Sequence, residues 1–189
     1  MDDQTPNYGF ETRAIREGIE RTAYNEHNEP LFLTSSFVFD NAAQAAARFA
    51  GEEDGFIYSR AGNPTVAAFQ NRLAALEGAQ SCVATASGMS AIMATVMSLT
   101  RAGDHVVASF ELFGATTQML GILARFGIEI TYVRLADTAA WRDAVRPNTR
   151  LFYLESPSNP LTEVADVRAI AAIARAHGVR LAVDNCFCS

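Results

Sequence analysis

Lysine is absent from these 189 residues: all 15 basic side chains are arginine. The chain therefore offers no side-chain amine for covalent chemistry on a carbonyl group. Its arginines are scattered and form no basic run, and the formal net charge is −6, which together argue against a nucleic-acid binder. Long apolar runs are missing too. Asp104, Glu111, Glu129 and Arg134 interrupt every stretch that might approach a membrane span. The start, Met1-Asp2-Asp3-Gln4, is acidic and has no signal-peptide core, so a cytoplasmic location is expected. Cysteine is sparse. Cys82 lies in the apolar run Ser81-Cys82-Val83-Ala84 and reads as a small core residue, while Cys186 and Cys188 form a lone C-x-C around Phe187. His27, His105 and His177 show no ligand spacing to accompany them, so no metal site is expected.

What is present is enough apolar residue, 49%, to fill the core of one large domain. From about residue 64 the pattern alternates between helix and strand. Residues 64–77 place Val66, Phe69, Leu73 and Leu76 at helical spacing, with Pro64 in the first turn and Gly78 as the stop. Cys82–Thr85, His105–Ala108, Ile128–Val133, Leu151–Leu154 and Arg180–Val183 are short apolar runs that suit buried strands. Helical stretches lie between them, near 89–100, 115–126, 138–146 and 166–177, with Asp137 and Thr162 or Asp166 as caps. His177 before Gly178 fits a basic last turn and a glycine stop. Such alternation predicts an α/β fold, a mostly parallel sheet with helices on both faces. Residues 1–60 differ. They carry helical patches at Glu11–Ile19 and Ala42–Ala50 and an extended run, Pro30–Phe39, so they are expected to form an N-terminal arm preceding a large domain from residue 61. Asp40 or Asn41 would cap the second patch, and Gly51 would end it.

Several short strings carry possible chemistry. Ser87-Gly88-Met89 follows a predicted strand and opens a helix, where free N–H groups and the helix dipole favour a phosphate; taken alone, the string favours a plain strand-to-helix turn. Asp184 closes the last strand, as a cap or as a carboxylate beyond the sheet. Asn159 sits in the proline-bracketed loop Glu155-Ser156-Pro157-Ser158-Asn159-Pro160, which also reads as turn chemistry. Tyr58 and Arg60 belong to the string Tyr58-Ser59-Arg60-Ala61-Gly62-Asn63-Pro64-Thr65, too long to be fortuitous; an arginine can grip a phosphate with two bonds and a tyrosine can add a neutral donor. Phe113, in Leu112-Phe113-Gly114, suits either a core position or stacking on an aromatic ligand.

The order and spacing of these strings resemble the Cys/Met-metabolism family of pyridoxal 5′-phosphate (PLP) enzymes, over essentially the whole chain. The resemblance implies part of a fold-type-I PLP enzyme, in which Gly88 and Met89 bind the cofactor phosphate, Phe113 stacks on the ring and Asn159 donates to its phenolic oxygen. Asp184 would pair with the ring nitrogen, and that pair keeps the ring able to accept electrons from a substrate carbanion. Tyr58 and Arg60 would reach the phosphate of a neighbouring subunit's cofactor in a homo-oligomer, a dimer of dimers. Within the family, Phe32–Phe39, Leu112-Phe113-Gly114 and Asp184-Asn185-Cys186-Phe187-Cys188 look most like the O-succinylhomoserine sulfhydrylases. Many γ-lyases and cystathionine γ-synthases place tyrosine at the position of Phe113 and threonine at that of Cys186. The implied activity is γ-replacement, which joins an O-acyl-homoserine to a sulfur donor, giving homocysteine and succinate from O-succinyl-homoserine and sulfide.

The family's cofactor-anchoring lysine would follow Ser189, and with it two strands that neighbour Cys82–Thr85 in the sheet. The chain by itself is accordingly expected to leave Cys82–Thr85 unpaired and to be inactive. Two other readings stand beside this one: a non-catalytic subunit that binds a partner, and a dehydrogenase-like nucleotide-binding domain. The latter lacks a glycine-rich fingerprint after its first strand.

Overall fold

The computed structural model describes residues 8–188, so the acidic start Met1–Gln4 and Ser189 lie outside the described residues. They form two compact units, divided between Ala84 and Thr85.

The first unit contains α1 (Phe10–Arg16), α2 (Ala42–Ala50) and α3 (Pro64–Glu77). Local chemistry sets their limits. The Asn41 side chain accepts the N–H of Gln44, and Gly51 closes α2 in the left-handed region at φ 73°. Asn63 likewise accepts the N–H of Thr65, Pro64 occupies the first turn of α3, and Gly78 ends it at φ 63°. The first helix is shorter than its pattern predicts, ending at Arg16 rather than Ile19. Gly18, at φ 74°, turns the chain against α3, where an added Cβ would meet the Ala68 carbonyl oxygen at 2.5 Å. Arg72 secures the turn by donating from Nε to the Glu17 carbonyl and pairing with Glu29, both at 2.8 Å. Pro30–Phe39 is not a regular strand; one antiparallel bridge joins Ser36 to Tyr58.

The second unit holds a four-stranded parallel sheet in the order β2-β1-β3-β4, with β1 at His105–Ser109, β2 at Glu129–Val133, β3 at Thr149–Glu155 and β4 at Arg180–Asp184. Four helices join in: α4 (Gly88–Leu99), α5 (Gly114–Ala124), α6 (Thr138–Asp143) and α7 (Val167–Ala176). Alternation along the strands sorts side chains to opposite faces. Val107, Phe152 and Leu154 pack with Trp141 of α6 and with Ile170, Ile173 and Ala174 of α7. Val106, Ala108, Leu151 and Tyr153 pack instead with Val96 of α4 and with Met119, Leu120 and Leu123 of α5. Both faces are thus covered, as the sequence predicts. Caps at Asp137 and Asp166 accept the N–H groups of Ala140 and Ala169. Thr162 is no cap; it stands at φ 54° inside the preceding loop.

One predicted strand does not form. Cys82–Thr85 pairs with nothing, Val83 is 80% exposed, and Cys82 is half-buried rather than a core residue. The N–H of Ala84 goes to the Gln70 side chain at 2.8 Å. An apolar run becomes a strand only where a neighbouring strand takes up its backbone groups. No helix among the described residues is long and apolar enough to cross a membrane.

Candidate functional site

The chain runs from β1 outward to β2 and then returns past β1 to β3 and β4, so the direction of winding reverses between β1 and β3. In parallel sheets a crevice opens at that reversal, beyond the carboxyl ends of the strands. A cavity of about 660 Å³ lies at the carboxyl ends of β3 and β4, with Phe113, which follows β1, on its border. Five of the seven residues singled out in the sequence line it: Gly88, Met89, Phe113, Asn159 and Asp184. The other two, Tyr58 and Arg60, lie in the first unit, where the Arg60 guanidinium stands 5.0 Å from the centre of the Tyr58 ring.

The wall at α4 is built from backbone. Ser87 caps the helix, its Oγ accepting the N–H of Ser90 at 3.2 Å and its carbonyl that of Ala91 at 3.1 Å. The N–H groups of Gly88 and Met89 find no acceptor among the described residues. Nothing stands within 4 Å of where a Gly88 Cβ would be. Two free donors at the positive end of a twelve-residue helix, with open space beside them, make a terminus whose field favours an anion.

Residues of β3 and β4 line the cavity at its other side. Glu155 and Asp184 are register partners, as are Tyr153 and Ala182 two residues earlier, so all four side chains share one face of the sheet. The Asp184 carboxylate accepts the Cys186 N–H on Oδ1 at 3.1 Å and the Tyr153 hydroxyl on Oδ2 at 3.3 Å. Burial, and then the charge of Asp184, push the Tyr153 hydroxyl far above its ordinary range, so it stays protonated. Glu155 accepts the Phe113 N–H on Oε2 at 2.7 Å; burial raises its carboxyl above the ordinary range, that bond lowers it, and the Asp184 charge raises it again.

Asn159 is carried by a tightly bonded loop. Ser158 accepts the N–H of Thr162 on its carbonyl and that of Glu163 on Oγ, while the Ser156 Oγ accepts that of Ala165. The Ser156 N–H donates to the Asp184 carbonyl at 3.1 Å, which fixes the loop to the end of β4. Sequence reasoning missed Tyr153 and Glu155 as site residues. The strand period held the signal, because Tyr153 and Glu155 alternate onto one face just where β3 ends.

An anion-favouring helix terminus, an aromatic side chain and a carboxylate thus gather around one cavity. The model for the Cys/Met metabolism PLP-dependent enzymes matches residues 11–189, and the chain belongs to that family. It is 56% identical, over its whole length, to 47% of an O-succinylhomoserine sulfhydrylase of Pseudomonas aeruginosa. It is 44% identical, over 96% of its length, to 46% of an L-methionine gamma-lyase of Porphyromonas gingivalis. Among solved structures, a putative O-acetylhomoserine (thiol)-lyase of Campylobacter jejuni aligns with a TM-score of 0.90 at 33% identity, over 95% of this chain and 45% of that one; its lysine carries a pyridoxyl group. The chain spans about half the length of the curated relatives it matches. Its sheet is accordingly part of the large domain of that fold, and the family's cofactor is PLP.

Proposed function

We propose that these residues form the cofactor-holding part of a PLP-dependent γ-replacement enzyme that makes homocysteine from O-succinyl-homoserine and sulfide. The observation that carries this reading is the single cavity that gathers Gly88, Met89, Phe113, Asn159 and Asp184. The N–H groups of Gly88 and Met89 would hold the phosphate, the Phe113 ring would cover the pyridine face, and Asp184 would hold the ring nitrogen. Asn159 would donate to the phenolic oxygen. When bound, PLP supplies an electron sink for a substrate carbanion. Asp184 would serve that role by keeping the ring nitrogen protonated, and Phe113 by covering one face of the ring. Residues 1–60 would act as an arm that brings Tyr58 and Arg60 to the phosphate of a neighbouring subunit's cofactor, within a homo-oligomer.

The preference for O-succinyl-homoserine rests on the 56% identity to a sulfhydrylase and on Phe113 and Cys186, where many lyases carry tyrosine and threonine. The 44% identity to an L-methionine gamma-lyase supports a second reading, release of a thiol from methionine.

Two measurements test the proposal. The first is the absorption spectrum after adding PLP, before and after borohydride. With no lysine present, the cofactor is expected to bind reversibly and to leave no covalent label on the chain. A label that survives reduction would place the reactive amine elsewhere, such as the N-terminus. The second is an assay of a complete, lysine-bearing form. Sulfide-dependent release of succinate supports the sulfhydrylase, and thiol release from methionine without sulfide supports the lyase.

A further inference from the structure

Tyr153 is 2% exposed and its ring belongs to the core between β3, α4 and α5, yet its hydroxyl emerges at the cavity. Its register partner on β4 is Ala182, whose single methyl leaves room for the ring to lean across that strand. The hydroxyl thereby reaches Asp184, two residues further along β4 on the same face. A carboxylate held by one donor can still rotate about its last bond. Held by Cys186 N–H on one oxygen and Tyr153 on the other, it has a defined plane.

We infer that Tyr153 is a positioning residue, whose hydroxyl fixes the Asp184 carboxylate in the plane in which it meets a ring nitrogen. The inference rests on the proposed assignment of Asp184 to the ring nitrogen. Tyr153 is suited to this because burial and two neighbouring carboxylates, Asp184 and Glu155, keep its hydroxyl protonated. It is always the donor, and it shares the negative charge of Asp184 without removing it. Glu155, the other carboxyl on this face, has its Oε2 occupied by the Phe113 N–H.

The test uses Tyr153→Phe, which keeps the ring and removes only the hydroxyl. Pyridoxamine 5′-phosphate labelled with ¹⁵N in the ring is the probe, because it needs no lysine. In the unaltered protein it binds, with separate ¹⁵N and ³¹P resonances for its two ends. In the variant the ring-nitrogen resonance is expected to move while the ³¹P resonance at the α4 terminus stays, with affinity falling about three- to tenfold. If both resonances move together, or neither moves, Tyr153 is a packing residue and the inference is overturned. If the unaltered protein does not bind the probe, the cofactor-site reading itself fails and takes the inference with it. Should the variant not fold, ¹³Cζ-tyrosine labelling of the unaltered protein reads the same contact. The Tyr153 resonance should shift on saturation with the probe, and a static resonance overturns the inference.

Discussion

The Glu155 carboxylate accepts the backbone N–H of Phe113 at 2.7 Å, across 42 residues of sequence. This bond ties the start of α5 to the end of β3 and so fixes the residue whose ring borders the cavity. Glu155 is 3% exposed, so its carboxylate has little water at hand as a substitute partner.

Replacing Glu155 should therefore separate two effects. Glu155→Gln keeps an acceptor for Phe113 and should fold normally. Glu155→Leu removes the acceptor of the Phe113 N–H and should cost about 0.5–1.5 kcal/mol. The carboxyl of Glu155 also carries a sign in pH. Its folded pKa is raised, first by burial, so the folded state holds its proton longer than the unfolded state does. Its contribution to stability is then fullest below its ordinary 4.5 and declines as pH rises from there through the raised value. Urea midpoints measured over that range should fall less steeply in Glu155→Gln than in the parent.

His105 has the opposite behaviour at the other end of the strands. Fully buried on β1, its Nδ1 and Nε2 lie 2.8 Å from the hydroxyls of Thr149 and Thr131. Burial, then the charge of Arg146, lowers its pKa, opposed by Glu129. The neutral ring is the folded form, so its contribution is present above the ordinary 6.5 and is lost as pH falls through the lowered value. The His105 ring resonances should titrate below the ordinary 6.5 in an NMR series. A His105 that titrates at or above 6.5 contradicts the prediction.

Gly88 distinguishes the demands of the helix from those of the cavity. An added Cβ meets nothing within 4 Å, and alanine is a better helix former than glycine. Gly88→Ala should thus keep or raise the melting temperature while weakening the binding of PLP, whose phosphate is proposed to approach there. Unchanged affinity in a well-folded variant would falsify the phosphate assignment.

Gly18 should tolerate no such change. At φ 74°, and with a Cβ that would sit 2.5 Å from the Ala68 carbonyl oxygen, Gly18→Ala combines backbone strain with a clash against backbone. A loss of about 1–3 kcal/mol is expected in thermal or urea unfolding.

The sequence by itself determined whatever depends on neighbours along the chain. Pro64 and Gly78 bound α3 as read, because first-turn residues and stops act within a few residues. The periods of two and 3.6 likewise marked four of the strands and the helices between them. The strings around Gly88, Asn159 and Asp184 were legible because each is a local turn or strand end. Tertiary structure decided what depends on pairing and approach between distant segments. Cys82–Thr85 has the composition of a strand, but only a neighbouring strand could make it one. The bonds from Glu155 to Phe113 and from Tyr153 to Asp184 exist because β3 lies beside β1 in the sheet and because register sets β3 against β4. No local pattern encodes those distances, since they are fixed by how the strands align and how the helices pack across them.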